Sequence, residues 1–136
     1  MVNWDKYILI CKKYSVFNTF CAFFKIPHPR KASVVFAKKA MVKKRGGAMV
    51  QIQSGRLLLG EADVLSKQRS LSTELILDDG AKMMCAGDLI LYEGVKVRIM
   101  KNAKCSFGHH TYLNRSATID CTQEIHVGDY CAISDN

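Results

Sequence analysis

Apolar and polar residues alternate with a period of two through most of the chain after residue 48. The alternating runs are short, recur every six to eight residues, and are separated by glycines. Alternation of this kind is typical of strands that bury one face. Because strands so short and so evenly spaced indicate a repeating architecture, the pattern predicts an all-β repeat fold over residues 49–136.

The repeat is clearest after Ala103, where each pair of inward positions ends in an apolar residue. The pairs are Cys105/Phe107, Thr111/Leu113, Ala117/Ile119, Ile125/Val127 and Cys131/Ile133. Their second members are six residues apart, apart from a spacing of eight that ends at Val127. In a triangular prism each face is one short strand, so a coil of three faces takes about 18 residues. The spacing therefore predicts a left-handed parallel β-helix of about 4–5 coils.

The first 48 residues follow a different pattern. Between Trp4 and Phe24 apolar residues recur at spacings of three and four, which predicts one or two amphipathic helices. The prolines of residues 26–30 cannot continue a helix. We therefore expect residues 1–48 to form a partly helical, partly extended basic cap, followed by an incomplete β-helix over residues 49–136.

Positive charge is concentrated near the N-terminus. The chain has 20 Lys and Arg against 12 Asp and Glu, a net charge of +8. Residues 1–56 have a net charge of +11, with Asp5 as their single acid, and residues 57–136 have a net charge of −3. A basic segment favours an anionic partner. Because no base-reading motif accompanies the charge, we expect no nucleic-acid partner.

The cysteines and the apolar runs indicate the cellular compartment. None of the six cysteines belongs to a Cys-x-x-Cys pair, and four of them (Cys85, Cys105, Cys121 and Cys131) fall on inward positions of the repeat. We therefore predict reduced core residues and no metal site. No apolar run approaches the roughly 20 residues that span a bilayer, and the apolar stretch near the N-terminus is too short for a signal peptide. The expected location is cytoplasmic.

The stretches 107–114, 117–120 and 125–134 resemble the hexapeptide-repeat acetyltransferases, and most of all the sugar and polysaccharide O-acetyltransferases. The phrase Ile-x-Val-Gly-Asp-x-Cys-x-Ile-Ser, which begins at Ile125, is a common form of their repeat. The resemblance implies acetyl-CoA as acyl donor, a sugar or glycan hydroxyl as acceptor, and a homotrimer with active sites between neighbouring prisms. It also implies a histidine general base that removes the acceptor proton.

The resemblance assigns two residues to acceptor binding. Asn114, in the context Tyr112-Leu113-Asn114, matches an asparagine that contacts the sugar in the galactoside-type enzymes. An acidic residue that follows in that family falls on Thr122 here, which leaves the acceptor's identity open. The other interpretation of Asn114 is a corner residue with a left-handed backbone. The expected general base falls beyond Asn136, so we expect the N-terminal portion of such an enzyme.

The histidines within the chain have ordinary explanations. His28 lies between prolines and is expected in solvent, and His126 should point outward from a strand. His109 and His110 follow Gly108 at a predicted corner, where polar residues are common. A catalytic role for either of these two, or a three-histidine zinc site as in a carbonic-anhydrase branch that shares the β-helix, is a minor alternative.

Two other classes of function stay open. One is a non-catalytic β-helix that serves as a scaffold or trimer-forming module. The other is a peripheral protein at the inner face of an anionic membrane, with aromatics such as Phe17 and Phe20 in the interface and nearby lysines on lipid phosphates. The same aromatics are also suited to cover the open end of the prism, which is the interpretation we favour.

Overall fold

The computed structural model describes residues 26, 28–37, 39–61 and 71–134. These residues form thirteen short strands and no helix, so no helix among them could cross a membrane. The strands are β1 Ala32–Phe36, β2 Ala40–Lys44, β3 Met49–Ile52, β4 Gly55–Glu61, β5 Thr73–Leu77, β6 Lys82–Cys85, β7 Leu89–Tyr92, β8 Lys96–Ile99, β9 Lys104–Phe107, β10 Thr111–Leu113, β11 Thr118–Cys121, β12 Glu124–Val127 and β13 Ala132–Ile133.

Each strand from β1 to β10 pairs in parallel with the strand three places further along the chain. Sheet I has the order β1-β4-β7-β10-β13, sheet II the order β11-β8-β5-β2, and sheet III the order β12-β9-β6-β3. One strand from each sheet makes a coil, and the three sheets are the three sides of a prism. The predicted fold class, an all-β left-handed parallel β-helix, is confirmed.

The coils are longer than the 18 residues expected from the hexads. Leu113 pairs with Leu91, 22 positions before it, and the last coil is 20 positions long where Val127 pairs with Phe107. The additional residues lie between sheets II and III, in four-residue turns whose last amide hydrogen-bonds the carbonyl of the first residue. The third residue of each turn has a positive φ, and these residues are Gly47, Gly80 and Asn102.

The β-helix begins earlier than the predicted boundary at residue 49. β1 pairs with β4 over five positions, and β2 pairs with β5 over five more. The inward residues Val34, Phe36 and Val42 are buried. Because each of these strands has only two or three inward residues, their alternation in the sequence was too short to distinguish from a connector. The helices predicted between residues 4 and 24 lie outside the described residues.

Apolar side chains stack in register along the inside of the prism. Leu59, Leu91 and Leu113 occupy successive coils of sheet I and are completely or almost completely buried. Burial of each such side chain stabilises the fold by about 1.5–3 kcal/mol. The interior also contains three of the cysteines predicted to be core residues, Cys85, Cys105 and Cys121.

Candidate functional site

Tyr112 and Asn114, the two expected acceptor contacts, lie on sheet I. Tyr112 is the central residue of β10, pairs with Ile90 and Ala132, and points outward with 39% of its surface exposed. Its ring meets the ring of Tyr92 edge to face, with centroids 6.4 Å apart. The two tyrosines therefore give the outer side of sheet I an aromatic surface.

Asn114 follows β10 at the corner between sheets I and II. Its backbone amide donates a hydrogen bond to the Ile133 carbonyl at 2.7 Å, and its carbonyl accepts one from the Ala117 amide at 3.1 Å. The left-handed residue of this corner is Ser116, with φ of 63°, so backbone strain does not explain the asparagine. No described residue hydrogen-bonds the Asn114 side-chain amide, which leaves that amide available to a ligand.

The two adjacent histidines lie at the opposite corner of sheet I, as predicted. Nδ1 of His110 is 3.5 Å from Oδ2 of Asp88 in the coil before. The His110 ring also stacks on the ring of Tyr130 in the coil after, with centroids 5.3 Å apart. His110 and Asn114 thus lie at the two ends of β10, with Tyr112 between them. A strand segment of this length spans roughly 13 Å.

Aspartates at this corner tie successive coils together. Oδ1 of Asp88 accepts a hydrogen bond from the Arg56 amide at 2.8 Å, and Oδ1 of Asp129 accepts one from the His109 amide at 2.6 Å. Each aspartate follows a glycine, Gly87 or Gly128, and Gly108 occupies the matching position before His109. Side chains of the next coil cover Gly87 and Gly108, so a Cβ at Gly108 would overlap Asp129.

A second polar cluster lies on the outer side of sheet III. Oγ of Ser106 is 2.5 Å from Nδ1 of His126, and Nε2 of His126 is 3.0 Å from Oε1 of Glu124. The histidine is exposed, as predicted, but its two partners were not anticipated. The signal was present in the spacing, because Ser106 and His126 are 20 positions apart, which is the length of the last coil. That length is the sum of the spacings six, six and eight from Phe107 to Val127, so the partnership of Ser106 and His126 could have been derived from the repeat.

The described residues contain no group of three or more His, Cys, Asp and Glu side chains placed to hold a metal ion. The fold defines the chain as a parallel β-helix protein with outward aromatic, amide and imidazole groups on sheet I. Comparisons with known protein families, with curated proteins and with solved structures gave no match.

Proposed function

We propose that this chain carries the acceptor-binding part of an acetyl-CoA-dependent O-acyltransferase that modifies a sugar or polysaccharide hydroxyl. The observation that carries the proposal is the outward pair Tyr112 and Asn114 on a hexad-repeat β-helix. A tyrosine ring offers an apolar face to the C–H groups of a sugar ring, and an amide both donates to and accepts from hydroxyl groups. Asn114 lies two residues after Tyr112 at the end of β10, so we expect one sugar to contact both.

Several parts of this proposal rest on the sequence alone. The resemblance implies acetyl-CoA as donor, a homotrimer and a histidine general base. The cytoplasmic location comes from the apolar runs and the cysteines, and contact with the inner membrane face comes from the positive charge of residues 1–56. The chemistry would be removal of the acceptor proton by that base while the hydroxyl oxygen attacks the thioester carbon. The contribution of the described residues would be to hold and orient the acceptor.

Acceptor binding and acyl transfer are tested separately. Ligand-observed NMR with a panel of neutral and acidic sugars measures binding to the chain. Tyr112→Ala and Asn114→Ala should each weaken binding about tenfold or more, the equivalent of 1.4 kcal/mol. Thr118→Ala, an exposed outward residue of sheet II, is the matched control and should bind as the unaltered protein does. Release of free thiol from acetyl-CoA in the presence of each sugar measures transfer.

The outcomes of these experiments have distinct meanings. Binding that depends on Tyr112 and Asn114 supports the acceptor assignment, and thiol release that depends on a sugar supports the acyltransferase. A chain that binds none of the sugars in the panel would overturn the proposal.

One observation favours the non-catalytic alternative, a trimer-forming module. Val35, Leu58 and Ile90 form an outward apolar column on sheet I, in register with Tyr112. Sedimentation that shows a stable trimer without sugar binding would favour that module.

A further inference from the structure

The contact between Ser106 and His126 follows from the strand register. Their Cα positions are partners where β9 and β12 pair, and both residues lie on the outer side of sheet III. Partners on parallel neighbouring strands are separated by about 4.8 Å, so the two side chains must be adjacent whatever their rotamers. Glu124 lies two residues before His126 on the same strand, which places it on the same side.

The hydrogen bonds of His126 determine which of its ring nitrogens carries the proton. Because Glu124 can only accept a hydrogen bond when it is ionised, Nε2 must carry the proton donated to Oε1 of Glu124. In the neutral ring Nδ1 then has a free lone pair, and this nitrogen faces Oγ of Ser106. A hydroxyl, an imidazole and a carboxylate in this order are the parts of a serine nucleophile with its base and its positioning residue. The two ring nitrogens are exchanged relative to the serine-protease arrangement.

A groove runs beside this cluster. It has a volume of about 350 Å³ and is bordered by Met84, Ser106 and His126 along one side. The groove exists because the neighbouring outward positions of successive coils are small residues, namely Ala86, Gly108 and Gly128. Its lining is apolar at Met84, which is 44% exposed, and polar at the serine hydroxyl. This combination suits a short acyl chain whose carbonyl carbon reaches Ser106.

We propose that Ser106 is an acyl-accepting nucleophile that reacts with activated esters, with His126 as its base and Glu124 as the residue that positions the imidazole. Oγ of Ser106 attacks the acyl carbon while its proton passes to Nδ1 of His126. The bond between the acyl carbon and the leaving oxygen breaks, and the leaving group takes that proton. Water then attacks the acyl-serine and gives a proton to Nδ1. The Oγ–acyl bond breaks, the proton returns to Ser106, and a carboxylic acid is released.

This activity does not rest on the proposed sugar O-acyltransferase. It uses sheet III, whereas Tyr112 and Asn114 lie on sheet I, and it requires neither acetyl-CoA nor a sugar. The 136-residue chain and 4-nitrophenyl acetate are therefore sufficient for a test. Failure here would leave the acceptor-binding experiment unaffected, and the reverse is also true.

Acetylation is located by mass spectrometry of peptides after brief reaction with 4-nitrophenyl acetate, and its rate is followed by nitrophenolate release. We expect acetyl-Ser106 to form first, and Ser106→Ala to remove it. His126→Gln should slow acetylation of Ser106 by about 100-fold or more, the usual contribution of a general base. Glu124→Asp should retain more of the rate than Glu124→Gln, because only the former keeps the charge that holds the imidazole.

Two matched variants separate this cluster from general surface reactivity. Ser33 is an outward serine whose register partner is Arg56, and His110 is an exposed histidine that contacts Asp88 and Tyr130. Ser33→Ala and His110→Gln should leave acetylation of Ser106 unchanged. Circular dichroism confirms that each variant is folded, which is expected because all the altered side chains point outward. The proposal is overturned if Ser106 is not acetylated, or if folded His126→Gln is acetylated there at the rate of the unaltered protein.

Discussion

Thr73 is a buried hydroxyl that links two coils, and its replacement by valine gives a direct test of the packing. Its Oγ1 donates a hydrogen bond to the Tyr92 carbonyl at 3.0 Å and accepts one from the Gly94 amide at 3.1 Å. Thr73→Val keeps the shape of the side chain and removes both bonds. The Tyr92 carbonyl retains the amide of Val95 at 3.3 Å, but the buried Gly94 amide loses its acceptor.

The size of the effect follows from these two losses. A buried donor left unsatisfied costs about 1–3 kcal/mol, and the lost bond to a carbonyl that keeps another partner costs about 0.5–1.5 kcal/mol. We expect Thr73→Val to lower the free energy of unfolding by about 1.5–4.5 kcal/mol. Thr73→Ser is the matched control, because it keeps the hydroxyl and removes one methyl group, a loss of about 1 kcal/mol.

Urea unfolding followed by circular dichroism measures both variants. The midpoints are compared only if the two variants have the same m-value, which is the slope of the unfolding free energy against urea concentration. A change in midpoint then reports a change in stability. The reasoning is refuted if the valine variant is as stable as the serine variant, or more stable. In that case the apolar packing of the side chain, and not its two hydrogen bonds, would be the main contribution of residue 73.

Three further predictions follow from the glycines, the cysteines and the last coil. Gly55→Ala should lower Tm more than Gly47→Ala, because both residues have a positive φ but a Cβ at Gly55 would lie 2.7 Å from the Asp88 amide nitrogen, against 3.8 Å to the nearest atom at Gly47. Equal Tm values would contradict the geometry. Burial raises the pKa of Cys85 and Cys105 from 9.0 to about 12. Since the thiols ionise at lower pH in the unfolded chain, stability should be unaffected below pH 9 and should fall as the pH rises towards 12. The fall should be smaller for Cys105→Val. If the urea midpoints of both proteins fall equally over that range, the Cys105 thiol is not the cause. Finally, the outer edges of β11, β12 and β13 have no partner strand among the described residues, and the inward Ile125, Val127 and Ile133 are only partly buried. We expect the 136-residue chain to associate, and a monodisperse monomer in light scattering would be evidence against this.

The fold was largely predictable because a prism with one buried side per strand imposes a period of two on the sequence. The inward pairs from Cys105 to Ile119 are all buried as predicted. The 22-residue length of the coils before the last one was not predictable from the same hexads. The turns between sheets II and III carry polar or small residues, such as Gly46 and Lys101, and such residues are compatible with either a short or a long corner. Only the strand pairing fixes how many residues each corner takes.

The candidate site could also be predicted only in part from the sequence. That Tyr112 and His126 point outward was predictable from alternation alone, because alternation fixes the side of each residue. Which residues of different coils become neighbours depends on coil length. The pair Asp88–His110 could therefore not be found without the strand register, whereas the 20 positions between Ser106 and His126 equal the sum of the spacings six, six and eight from Phe107 to Val127. Neither pair has a local motif, since their members are 20 and 22 positions apart.

The connection from β4 to β5 has one further consequence, which concerns how this architecture accommodates new sequence. Val42 pairs with Leu75, 33 positions later, whereas Leu75 pairs with Val97 after 22. β2 and β5 nevertheless pair in register over five positions, although the coil that joins them is 11 residues longer. Closing a loop of 33 residues in place of 22 costs only about 0.4 kcal/mol of chain entropy. Corners of this β-helix can therefore gain segments in evolution almost without penalty, while the strands on either side keep their pairing. New recognition elements would be expected to accumulate at corners, leaving the columns of outward side chains in place.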